Sequence, residues 1–108
     1  MLGGFAHGVG AALYEEFVYS EDGSFLSGTF ADYPVPTACE IPAPVILHCE
    51  TPSPITPLGA KGVGESNSMS TPVCLANAVA DALDVADVAL PLTPSWVAVL
   101  LPRRREDV

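Results

Sequence analysis

Phe17-Val18-Tyr19-Ser20-Glu21-Asp22-Gly23-Ser24-Phe25-Leu26-Ser27-Gly28-Thr29-Phe30 sets the fold class expected of this chain. Two apolar, aromatic-rich runs flank Asp22-Gly23, and glycine accepts the positive φ that a tight hairpin turn demands. The stretch therefore predicts a β-hairpin. Upstream, Phe5, Val9, Leu13 and Phe17 recur at four-residue spacing with Ala6, Ala11 and Ala12 between them. That periodicity predicts the apolar face of a helix that starts after Gly3-Gly4. Gly8 and Gly10 inside it each cost about 1 kcal/mol relative to alanine. A helix that carries two such glycines lets another helix or a ligand approach its backbone closely.

Downstream, Tyr33-Pro34-Val35-Pro36 and Ile41-Pro42-Ala43-Pro44 are extended, proline-bearing connectors. Val45, Leu47 and Cys49 then alternate with Ile46, His48 and Glu50, which predicts a third strand. Thr51-Pro52-Ser53-Pro54-Ile55-Thr56-Pro57 cannot be a central strand, because its prolines remove ladder donors. A second helix is expected from Thr71 as N-cap and Pro72 at the first helical position, with Val73, Ala76, Ala80 and Leu83 on its apolar face. Thr93-Pro94 repeats that start signal before Trp96, Val97 and Leu100, which read as core. The expected fold class is α+β: a small domain with an N-terminal helix, a β-hairpin plus third strand, a glycine-rich loop and two further helices. Residues 1–102 form this unit, and 103–108 are read as a polar tail.

Composition narrows the function classes. The chain has 108 residues, 49% of them hydrophobic, which argues against intrinsic disorder. Thirteen acidic groups face four basic ones, a formal net charge of −9. Three of the four cations are Arg103, Arg104 and Arg105, so Lys61 is the only one in residues 1–102. Nucleic acid and anionic membrane are excluded as partners, since both require clustered cations. Cys39, Cys49 and Cys74 have no C-x-x-C spacing and read as reduced thiols in the core of a cytoplasmic protein. His7 and His48 fall on different elements without acidic or cysteine partners at ligand spacing, so no protein-built metal site is expected. The start of the chain lacks the pattern of a signal peptide, and no run approaches the roughly 18 apolar residues of a spanning helix.

The densest chemistry lies in Gly59-Ala60-Lys61-Gly62-Val63-Gly64-Glu65. Its glycines allow backbone N–H groups to converge on an anionic or bulky ligand, and a following helix could lend its positive end. The spacing fits neither a P-loop nor a Rossmann fingerprint. On residue types alone, a ligand cradle and a flexible connector with an exposed Lys–Glu pair are equally good readings.

The loop resembles the active-site loop of the molybdenum hydroxylases, a family that includes xanthine dehydrogenase, aldehyde oxidoreductase and aerobic carbon monoxide dehydrogenase. Gly3-Gly4-Phe5-Ala6-His7-Gly8-Val9-Gly10-Ala11-Ala12-Leu13 is similar to the family's Gly-Gly-x-x-Gln-Gly-Ile-Gly-x-Ala-Leu helix, with His7 where glutamine is usual. Thr51-Pro52-Ser53-Pro54 with Pro57-Leu58 resembles its approach to the loop, Ala76-Asn77-Ala78-Val79-Ala80-Asp81-Ala82 its following helix, and Leu90-Pro91-Leu92-Thr93-Pro94 its closing segment. After Glu65 the usual Ala-Gly or Pro-Pro is replaced by Ser66-Asn67-Ser68. The likeness covers about residues 3–101 and corresponds to the C-terminal part of the molybdopterin-binding large subunit.

This resemblance implies a molybdenum–molybdopterin cofactor, with the cytosine dinucleotide form as one candidate. It implies that Glu65 is the general base beside the molybdenum, removing the proton from the oxygen nucleophile that attacks the substrate carbon. By matching position, Lys61, Gly62, Val63 and Gly64 contact the cofactor. The implied partners are the remainder of the molybdopterin-binding subunit, iron–sulfur and flavin (FAD) subunits, and a heteroaromatic, aldehyde or CO-type small-molecule substrate. The chain by itself is then expected to be inactive. The competing reading is a stand-alone acidic interaction domain, or a truncated relic, without redox activity.

Overall fold

Close backbone approach governs how the helices of this chain meet. The computed structural model describes residues 1–101 and contains three α-helices: α1 (Leu2–Leu13), α2 (Ser66–Leu83) and α3 (Pro94–Leu100). A 3-10 turn, Pro57–Gly59, precedes the glycine-rich loop. α1 packs on α2, and its buried face consists of Gly4, Gly8, Val9, Gly10 and Ala12. A Cβ atom on Gly8 would lie 2.6 Å from Cβ of Thr71 and 3.1 Å from the Asn67 carbonyl oxygen. No side chain fits there, so at Gly8 the close neighbour is another helix. Gly10 instead faces the Glu15 carboxylate and Pro36. The segment before α3 returns to α1, where the Leu92 amide donates to the Ala12 carbonyl at 2.6 Å. Val9, Ala12 and Leu92 are the buried hydrophobic residues.

The expected α+β class is not what the chain adopts: the described residues hold three helices and no strand. The hairpin turn does form. The Ser20 amide donates to Ser24 O at 3.0 Å, Gly23 takes φ 85°, and Tyr19 and Phe25 make an isolated antiparallel bridge. The Leu26 amide still donates to Val18 O. One position further, the Ser27 hydroxyl takes over, accepting from the Val18 amide and donating to Glu16 O, both at 2.9 Å. A side chain thus stands where a ladder bond would continue, and pairing stops. The alternating run 45–50 pairs with no strand among the described residues, and Val45 and Leu47 are 87% and 83% exposed. Alternation describes a segment suited to an edge, but a strand exists only where an edge is supplied.

Helix α2 also begins earlier than its start signal predicted, at Ser66, with Glu65 in the N-cap position and Pro72 inside the helix. Pro72 has no N–H to give the Ser68 carbonyl, a loss that would normally mark a helix boundary. Here Thr71 is buried against α1 and Pro72 packs toward Gly8, so tertiary contact carries the helix across this position. α3 starts as expected, with Thr93 as N-cap and Pro94 in its first turn. The residues assigned to the core there are only partly covered: Trp96 remains 41% exposed. Cys39, Cys49 and Cys74 are free and exposed, contrary to the core reading. The proposed tail, 103–108, lies outside the described residues. No helix among the described residues is long and apolar enough to cross a membrane.

Candidate active site

The loop that leads to Glu65 is braced from two sides. On the first, Gly59 takes φ 69° and lies against Pro52, to whose Cβ an added Cβ would approach within 2.8 Å. The Ser53 amide donates to Gly59 O at 3.0 Å, and the Thr56 hydroxyl to Ala60 O at 2.7 Å. The proline-rich approach is therefore a splint for the loop, since its fixed φ angles leave few ways to place Gly59. On the second side, the Gly64 carbonyl rests on α1 at Gly4, 2.9 Å from where a Cβ would stand. Asn67 Nδ2 donates to Met1 O at 3.4 Å, tying the first turn of α2 to the start of α1. Lys61 Nζ donates to Thr51 Oγ1 at 2.6 Å, so the lone cation of the described residues is engaged by the approach segment.

Between these braces, Gly62, Val63, Gly64, Glu65, Ser66, Ser68 and Met69 line a concavity of 560 Å³. Val63 also lines an adjoining hollow of 410 Å³, which includes Cys49, Thr51 and Lys61. All five predicted site residues, Lys61, Gly62, Val63, Gly64 and Glu65, thus border one or both hollows. His7 is exposed on α1, away from both hollows, whereas His48, also exposed, lines the second hollow beside Cys49.

Whether these residues suit a large cofactor can be judged from what the chain itself leaves open. A Cβ on Gly62 or Gly64 would meet nothing within 4 Å, and neither glycine has positive φ. Neither internal packing nor backbone conformation asks for glycine there, so the open side suits a bulky neighbour brought against the main chain. Ser68 Oγ is buried in the same wall and has no hydrogen-bond partner among the described residues. A buried hydroxyl without a partner is costly. The residues present fit a polar group seated at this loop. Sequence reasoning missed two features of the site: the place of Glu65 at the N-cap position of α2, because Pro72 imitated a helix start, and the seat of Gly64 on Gly4, because Gly3-Gly4 read only as a helix beginning.

Comparison with known proteins places the chain as a whole among relatives. Residues 1–42 match a family described as molybdopterin cofactor-binding domain. The chain is 41% identical over 98 residues to the nicotine 6-hydroxylase large subunit of Paenarthrobacter nicotinovorans, covering 88% of this chain and 12% of that protein. It is 42% identical over 80 residues to the carbon monoxide dehydrogenase large chain of Afipia carboxidovorans, covering 74% of this chain and 10% of that one. Its structure is similar to quinoline 2-oxidoreductase from Pseudomonas putida 86, with TM-score 0.84 and 37% identity over 93% of this chain and 13% of that one. The chain therefore spans only about an eighth of the length of these relatives. With likeness in sequence and in structure running through nearly the whole chain, it belongs to the molybdenum hydroxylase family, as a segment of the molybdopterin-binding large subunit.

Proposed function

We propose that this segment supplies the general base and one wall of the cofactor pocket for oxidative hydroxylation by a molybdenum hydroxylase. Glu65 is the base, and Lys61, Gly62, Val63 and Gly64 contact the cofactor. The observation that carries the reading is the pairing of two glycines open on their outer side with a carboxylate immediately after them. When bound, molybdenum–molybdopterin supplies the two-electron oxidation chemistry. Gly62 and Gly64 admit that group to the main chain, and the Ser68 hydroxyl offers it a hydrogen bond. Lys61, held by Thr51, keeps the strand of loop before Gly62 in place. A Glu65 carboxylate oxygen then takes the proton from the oxygen nucleophile as that oxygen bonds to the substrate carbon.

Relatives named for nicotine, carbon monoxide, aldehydes and quinoline bracket the substrate class. A heteroaromatic, an aldehyde or a CO-type molecule fits it. The remainder of the large subunit completes the pocket, and iron–sulfur and flavin subunits carry the electrons away. The test is Glu65→Gln in the assembled enzyme, a change that keeps size and removes basicity. Turnover should fall by at least about a hundredfold with molybdenum content retained. Turnover within about threefold of the parent enzyme removes Glu65 from the mechanism.

A further inference from the structure

We infer that Gly4 is a positioning residue for Glu65: the bare backbone of α1 is the seat that sets how far the Gly64–Glu65 peptide stands from the pocket. The inference rests on the reading of Glu65 as the base. Its evidence is geometric. A Cβ at Gly4 would fall 2.9 Å from the Gly64 carbonyl oxygen, 3.7 Å from Glu65 Cα and 3.7 Å from the Asn67 amide nitrogen. Contacts below 3.0 Å do not persist, and the atom in the way belongs to the main chain, so it cannot swing aside as a side chain would. One turn along α1, Gly8 meets Thr71 and Asn67 in the same manner. Spacing of four residues places both glycines on one helix face. The loop end and the first turns of α2 therefore lie on α1 at two points, and Glu65, which follows the first of them, lines the pocket.

Because Gly8 pins the body of α2, a methyl group at Gly4 can be relieved only by lifting the loop end. Glu65 is the residue next to the obstructed carbonyl and moves with it. Displacements of a few tenths of an ångström at a proton-transferring group cost rate rather than folding, because that transfer needs heavy-atom distances of about 2.6–3.2 Å. Gly3 is the internal control, since a Cβ there meets nothing within 4 Å.

In the assembled enzyme, Gly4→Ala should lower kcat at least about tenfold while KM stays within about twofold, at equal molybdenum content and thermal midpoint. Gly3→Ala should match the parent. The inference is overturned if Gly4→Ala keeps kcat within about twofold, or if its kcat falls only in proportion to lost molybdenum. Should Gly4→Ala fail to fold, Asn67→Ala tests the same seat without adding an atom, by removing the tie to Met1 O. A drop of about threefold in kcat at unchanged KM supports the inference, and an unchanged kcat overturns it. Glu65→Gln separates the two readings. If it is inactive while Gly4→Ala is normal, the base stands and the seat falls; if it is fully active, both fall.

Discussion

Asp22 shows how much chemistry a four-residue turn can hold. Its carboxylate accepts the Ser20 hydroxyl at 2.5 Å and the Ser24 amide at 3.0 Å. Those bonds favour the charged form and lower its pKa from 3.8 to about 2. With the folded pKa depressed, the turn's stabilisation is complete above 3.8 and is lost as pH falls through about 2. A carboxyl titration followed by NMR should place the Asp22 midpoint near 2. A midpoint at the ordinary aspartate value would contradict the bonding. Glu40 is lowered in the same way, by the Thr37 hydroxyl and amide. Tyr33 moves the other way, because its hydroxyl donates to Glu15 Oε2 at 2.6 Å and the neighbouring negative charge resists its ionisation. The Asp22-Gly23 turn is legible in the sequence because both its bonds and its positive φ involve residues at most four apart. The Tyr33–Glu15 bond spans eighteen positions and leaves no local signal.

Packing of α1 on α2 sets a balance that a single methyl group tests. Gly8→Ala gains about 1 kcal/mol of helix propensity. It also forces a Cβ to within 2.6 Å of Thr71 Cβ, and overpacking of that kind costs about 1–3 kcal/mol. The variant should therefore lower the thermal midpoint of the assembled enzyme, as read by scanning calorimetry; a raised midpoint would mean that the helices do not meet there. Glycines inside the helical pattern announced close approach, yet which segment approaches is a long-range fact. Pro72 misled in the opposite direction. Proline is favoured in the first turn of a helix, so Thr71-Pro72 resembles a beginning, whereas burial of Thr71 on α1 makes it the interior of α2. The third strand failed for a related reason: its alternation is present, but the edge it needs is not among the described residues.

As a body, the chain is extended. Its radius of gyration is 18.3 Å and its dimensions are 67 × 37 × 26 Å, against about 13 Å for a compact unit of 100 residues. Phe30 and Ile55 are 86% and 90% exposed, and among the described residues only Val9, Ala12 and Leu92 are buried hydrophobics. So small a core cannot offset about 1–2 kcal/mol of backbone entropy per residue. Expressed alone, the chain should unfold without a cooperative calorimetric transition and bind a hydrophobic dye; a sharp transition in the isolated chain would overturn this. Local chemistry written in the sequence determined the Asp22-Gly23 turn, the glycine-bearing first helix, the Thr93-Pro94 helix start and the order of glycines before Glu65, because each depends on near neighbours. Tertiary structure alone determined that α2 begins at Ser66, that the hairpin ends at Ser27 and that Gly64 rests on Gly4. Those outcomes depend on which distant surfaces meet, and the energy of such meetings belongs to pairs of segments, not to either one.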